Sequence, residues 1–151
     1  MFGFFKKKKN ELPPFDYVEN SSMKDKYFCR TLQWDFLTEE MIHVFDHRGT
    51  KLRMITMDPW PQQVYLDADG QKTVKNYILE MANLYAPQPI PEQLDKEIIG
   101  VIEDLIKDGD LVELKDFKTN LPYYVDAPKS QQDSDKAYEL MIKDGYIKKK
   151  S

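Results

Sequence analysis

The chain reads as an α+β protein in which two adjacent helices stand beside short antiparallel strands, flanked by an N-terminal β-hairpin and a C-terminal helix. Three patterns predict this. Leu94, Ile98, Val101, Ile102 and Leu105 recur at helical spacing and share one face, which Ile99 and Ile106 widen. Val74, Tyr77, Ile78, Met81, Ala82 and Tyr85 repeat that periodicity upstream. Between residues 40 and 57, by contrast, β-branched and aromatic residues flank His47-Arg48-Gly49, and Leu52, Met54 and Thr56 alternate with Arg53 and Ile55 as in a hairpin.

At 151 residues and 41% hydrophobic, the chain suits one compact domain over residues 24–151, preceded by a basic-aromatic tail and lead-in over 1–23. No apolar run approaches the roughly 18–20 residues that span a bilayer, and the start carries no secretory pattern, so a cytoplasmic location is expected. The single cysteine, Cys29, excludes an intrachain disulfide framework and a multi-cysteine zinc site. Seven of the 22 basic side chains but none of the 26 acidic ones lie in Lys6–Lys9 and Lys148–Lys150, leaving the body between them net −11. Such a body argues against extended contact with a phosphate backbone.

In chain order, Phe4 and Phe5 followed by Lys6, Lys7, Lys8 and Lys9 read as a frayed terminus or as a weak peripheral contact with anionic lipid or another polyanion. Asn10 to Met23 reads as an extended lead-in whose Phe15, Tyr17 and Val18 cover part of the core. Trp34 and Phe36 alternate with Asp35 and Leu37, consistent with a strand. For residues 38–46 a short helix capped by Thr38 competes with the hairpin, and the hairpin is preferred. Asp58-Pro59-Trp60-Pro61 breaks the ladder and makes Trp60 a rigid corner, either buried as a plug or displayed for a partner. Gln63 to Leu66 looks like a short strand, and Asp67 to Gly70 like a turn. Thr73 is expected to cap a helix running to about Tyr85, and Pro87, Pro89 and Pro91 separate it from the next.

That next helix is predicted to place Pro91 at its first position, to stop at Gly109, and to be followed by a strand at Leu111–Leu114. Residues 116–128 read as a loop with one extended piece at Tyr123–Val125. Ser134 is expected to cap the last helix, whose Lys143-Asp144-Gly145-Tyr146-Ile147 ending echoes Lys107-Asp108-Gly109-Asp110-Leu111. Two helix–Gly–strand units are therefore expected.

The segment Leu66-Asp67-Ala68-Asp69-Gly70-Gln71-Lys72-Thr73-Val74, taken with the Leu105-Ile106-Lys107-Asp108-Gly109 ending, resembles small PqqD-like domains over about residues 63–115. The resemblance implies a winged-helix-like fold that binds peptides or partner proteins and not DNA. Such a fold has a helix before the position of Asp67, where these residues read instead as a hairpin and a Pro-Trp-Pro corner. No functional residue carries across.

Phosphate loops, Gly-x-Ser-x-Gly and His-Glu-x-x-His are absent from the sequence. His43, Asp46 and His47 would approach one another on a helix and bind a metal, but on a hairpin His43 and Asp46 point to opposite faces. Catalysis would require His43, His47 or Cys29 gathered with acids, and the spacing does not dictate it. The expected function is a small acidic binding or adaptor module for a peptide or protein, without cofactor, metal or chemistry of its own. Its candidate contacts are Trp60 and the edges carrying Leu111, Glu113, Tyr123 and Tyr124. The alternative is a winged-helix nucleic-acid regulator, weakened because Lys96 and Lys107 are the only basic residues between Pro91 and Gly109.

Overall fold

The computed structural model describes residues 11–148 as an α+β protein of six α-helices and two three-stranded antiparallel sheets. The tail contacts proposed for Phe4, Phe5 and Lys6–Lys9 lie outside the described residues. Strands β1 (Tyr27–Arg30), β5 (Asp69–Thr73) and β6 (Val112–Lys115) form one sheet in the order β5-β1-β6. Strands β2 (Gln33–Phe36), β3 (Ile42–Asp46) and β4 (Arg53–Ile55) form the other, and β3–β4 is the hairpin read from the alternation. Its register sets Phe45 opposite Met54 and Asp46 opposite Arg53. Thr38 caps no helix, and its Oγ accepts from the Glu40 and Met41 amides in the turn before β3.

The core is built around α4 (Leu94–Lys107), whose Leu94, Ile98, Ile99 and Ile102 are sealed from solvent. Burying side chains of this size contributes roughly 1.5–3 kcal/mol each. Against α4 pack α1 (Asp16–Glu19), α2 (Pro59–Asp67) and α3 (Val74–Asn83). Gly109, at φ 81°, ends α4, and the Leu111 amide returns to the Leu105 carbonyl at 2.9 Å before the chain enters β6. Thr73 caps α3 through the Asn76 amide at 3.2 Å, and the helix closes at Asn83, two residues earlier than the apolar stripe.

Several expectations are corrected. Gln63–Leu66 is no strand, because Pro59 and Pro61 occupy the first turn of α2, where a missing N–H costs nothing, and Val64 and Tyr65 form its buried side. The lead-in is not wholly extended, since Asp16–Glu19 make a helical turn that places Phe15 and Val18 in the core and leaves Tyr17 half exposed. The Val18 amide is tied to the buried Asp95 carboxylate at 3.0 Å. Pro91 lies ahead of α4, which starts three residues later with Gln93 at its cap. The stretch from Asp67 to Gly70 is not only a turn, because β5 already begins at Asp69.

Tyr123–Val125 lie in a single helical turn, α5 (Tyr123–Asp126), so no strand edge exists there. Asp133, not Ser134, caps α6 (Ser134–Lys143), accepting from the Lys136 amide at 3.0 Å. Gly145 stops α6 at φ 75°, but residues 146–148 form no strand, so the second helix–Gly–strand unit is incomplete.

Candidate functional site

Arg30 positions the site. It lies in β1, the central strand of its sheet, where Phe28, Cys29 and Arg30 are all buried. Its guanidinium donates to the Leu66 carbonyl near the end of α2 at 2.6 Å, and to the carbonyls of Val125 at 3.2 Å and Asp126 at 2.9 Å in α5. Helix ends leave such carbonyls unpaired, so one cation closes two helices. Burial holds the Arg30 pKa below its usual value, with opposing pulls from Tyr65, Asp126, Asp69 and Asp67. Trp34 lies under the guanidinium, 5.5 Å from its ring centre.

The C-terminal segment has a small apolar centre of its own, made of Tyr124, Val125, Ala137 and Met141. Polar contacts dock it on β2 and β3. Asp35 accepts from the Ser130 amide and hydroxyl at 3.0 and 2.9 Å. Gln33 donates to Gln132, which in turn donates to the Tyr124 and Ala127 carbonyls. The Tyr146 hydroxyl accepts from the Gln33 amide at 3.0 Å and donates to the Phe45 carbonyl at 2.9 Å. Burial pushes its pKa up to about 12, so it remains a hydroxyl donor at neutral pH.

Between this segment and the hairpin tip runs a groove of about 910 Å³. Its apolar lining is Leu52, Ala137, Tyr138, Met141, Tyr146 and Ile147, and Leu52 and Tyr138 remain 52% and 41% exposed. Its charged lining is Arg48, Lys129 and Lys148, with His47 beside them and no carboxylate among the lining residues. The tip is fixed from behind. Asp46 binds the Arg48 backbone and guanidinium as well as Arg53, and Arg48 also donates to the Gly109 carbonyl at the end of α4. These bonds, Arg48's foremost, hold the Asp46 carboxyl below the usual carboxylate range.

His47 rests edge-on to Tyr146 at 5.9 Å and parallel to Phe45 at 6.5 Å. Burial lowers its pKa, the Lys129 charge adds to this and Asp46 opposes it. Lys129 itself lies over the Phe45 ring at 5.0 Å.

The residues singled out from sequence are scattered. Trp60 sits in the first turn of α2, partly buried against the core. Leu111 is fully buried, its carbonyl accepting from the Thr31 amide. Glu113 is exposed on β6 and pairs with Lys115 at 3.2 Å. Tyr123 packs under Lys136, and its hydroxyl accepts from the Asp133 amide. Tyr124 is buried and donates to Asp144 at 3.0 Å.

None of these five lines the groove, and only Tyr123 and Tyr124 belong to its supporting segment. His43 packs on Phe45 at 4.5 Å, and its Nδ1 is enclosed without a hydrogen-bond partner. Cys29 is in the other sheet, its thiol pKa raised by burial, so no thiol–imidazole pair is assembled. In the sequence Leu52 reads only as part of the hairpin alternation and Tyr146 only as part of the helix ending, while Lys129 and Gln132, which complete the groove, carry no signal there. The one available signal for Arg30 was a lone cation following Tyr27-Phe28-Cys29. No family model, no curated protein and no solved structure matches the chain.

Proposed function

We propose that the protein is a small binding or adaptor module that holds a segment of a partner protein and performs no chemistry of its own. The observation that carries this reading is the groove between the hairpin tip and α6, which joins half-exposed Leu52 and Tyr138 to a rigid polar frame. Concave sites with a mostly apolar lining and a few fixed polar groups are where ligands gain affinity without large ordering costs. Tyr146, Gln132 and Arg48 already serve internal hydrogen bonds, so they act as framework and not as reacting groups.

The winged-helix-like, PqqD-like likeness draws support from element order. A helix, α2, does stand before Asp67, and the order α2-β5-α3-α4-β6 follows, with β1 filling the sheet between β5 and β6. The reading places the protein in the cytoplasm, in keeping with the unpaired, buried Cys29. No helix among the described residues is long and apolar enough to cross a membrane.

Site-specific photo-crosslinking in the native host tests the function. A photoreactive residue at Leu52 or Tyr138 is expected to give a discrete adduct that maps to one contiguous partner segment, while the same residue at Phe117, 80% exposed elsewhere, does not. No adduct, or equal adducts from all three positions, would count against the groove.

A further inference from the structure

Building on the binding-module reading, we infer that the groove takes an acidic partner segment, one in which carboxylates flank an apolar side chain. Charge is the first argument. The chain as a whole is net −4, yet every formally charged side chain lining the groove is basic. Arg48 is largely answered by Asp46, but Lys129 and Lys148 form no ion pair with a carboxylate among the described residues. Of the carboxylates on the surrounding elements, Asp35 holds Ser130, Asp133 caps α6 and Asp144 accepts from Tyr124, while the exposed Asp135 and Glu139 of α6 lie outside the groove lining. Lys129, whose ammonium lies over the Phe45 ring, and Lys148 therefore lack a carboxylate among the described residues, and a ligand's carboxylates would supply one.

Geometry supplies the second argument. Lys129 and Ser134, the first residue of α6, both line the groove, so the lysine charge borders it at the start of that helix, whose first turn is already capped by Asp133. Leu52, Met141 and Ile147 supply the apolar surface for a side chain between the carboxylates. The chain's own ends are poor occupants, because Lys6–Lys9 carry the same sign as the groove and Lys148 is itself part of its lining. Nucleic acid fits less well, since two lysines without carboxylate partners around an apolar floor offer few phosphate contacts.

The test begins with selection of a random displayed-peptide library on the immobilised full chain, followed by fluorescence anisotropy with the enriched peptides. Enrichment of Asp and Glu beside Leu, Ile or Phe is expected. Binding should weaken about tenfold in Lys129→Glu/Lys148→Glu and with rising salt, as expected for charge-steered contacts. Leu52→Ala, at a half-exposed position, should weaken the same peptides while leaving the melting curve unchanged.

Enriched peptides that are neutral or basic, or that bind the double lysine variant equally well, would overturn the acidic assignment and leave the binding-module reading standing. Absence of any enrichment, together with no crosslink at Leu52 or Tyr138, would overturn both. Displacement of the peptides by an oligonucleotide, or a dimer in sedimentation velocity that the lysine variant dissolves, would give the groove to another occupant and refute the assignment.

Discussion

Arg30 and Trp34 donate to the same carbonyl oxygen, that of Val125, from Nε at 3.2 Å and from Nε1 at 2.8 Å. They come from β1 and β2, consecutive strands in different sheets, and the Trp34 ring lies under the Arg30 guanidinium. This pair joins the two sheets to the C-terminal segment that forms one wall of the groove. Replacing Arg30 by Met should leave the Leu66, Val125 and Asp126 carbonyls without their cation and cost about 2–4 kcal/mol in denaturant unfolding. Arg30→Lys keeps the charge but not the fork, so it should recover only part of that loss. In native-state hydrogen exchange the loss should concentrate in α5 and α6, with α4 less affected.

Gly70 and Gly100 should respond in opposite directions to alanine. Gly70 sits at φ 76°, and an added Cβ would run into the Thr119 carbonyl oxygen and come within 2.8 Å of the Cys29 sulfur. Gly70→Ala is therefore expected to destabilise by about 2–4 kcal/mol. Gly100, inside α4, has nothing within 4 Å of an added Cβ, so Gly100→Ala should stabilise by about 0.5–1 kcal/mol. Thermal melts of the two variants check both signs.

Trp60 is partly buried against the core, so Trp60→Ala should cost roughly 2–3 kcal/mol, while Trp60→Phe should keep most of the stability. If partner capture drops with Trp60→Ala, it should drop in step with the folded fraction and be restored by Trp60→Phe. A folded Trp60→Ala variant that has lost its partner would instead make Trp60 a direct contact.

His47 gives the groove a pH signature. Its folded pKa lies below the ordinary 6.5, so the folded state resists the proton that the unfolded chain accepts. Its contribution to stability is present in full above 6.5 and is lost as pH falls from there toward the lowered folded value. The Asp46 contribution is lost only in a separate window, as pH falls below its usual 3.8 through its own depressed value. His47→Gln should flatten the first slope and leave the second.

An acidic ligand reverses the trend for binding, because carboxylates facing His47, Lys129 and Arg48 favour the imidazolium against the Asp46-buffered background. Peptide affinity should therefore rise as pH falls toward the lowered folded value of His47, and His47→Gln should remove that rise.

Much of the fold could be read from the sequence because its signals are local. The stripes over 74–82 and 94–105, the Thr73 cap, the Gly109 stop and the alternation in 42–55 each lie within a few residues of what they determine. Gln63–Leu66 misled because a short apolar run has the same composition in a buried helix as in a strand, and only the prolines before it marked a first turn. Tyr123–Val125 misled in the same way.

The groove was not legible for a different reason. Arg30 meets Val125 across 95 residues, Tyr146 meets Gln33 across 113, and Arg48 meets Gly109 across 61. Such pairings leave no spacing in the chain to read. The Pro-Trp-Pro corner pointed to Trp60 and a supposed strand edge to Tyr124, which the core and the segment's own centre absorb.

Hydrogen exchange on the full chain, alone and bound to the partner segment identified by crosslinking, tests the central claim most directly. Slower exchange confined to residues 47–52 of the hairpin tip and 129–147 of the C-terminal segment is the predicted result. Protection centred on α3, on the outer edge of β6, or nowhere at all would contradict it.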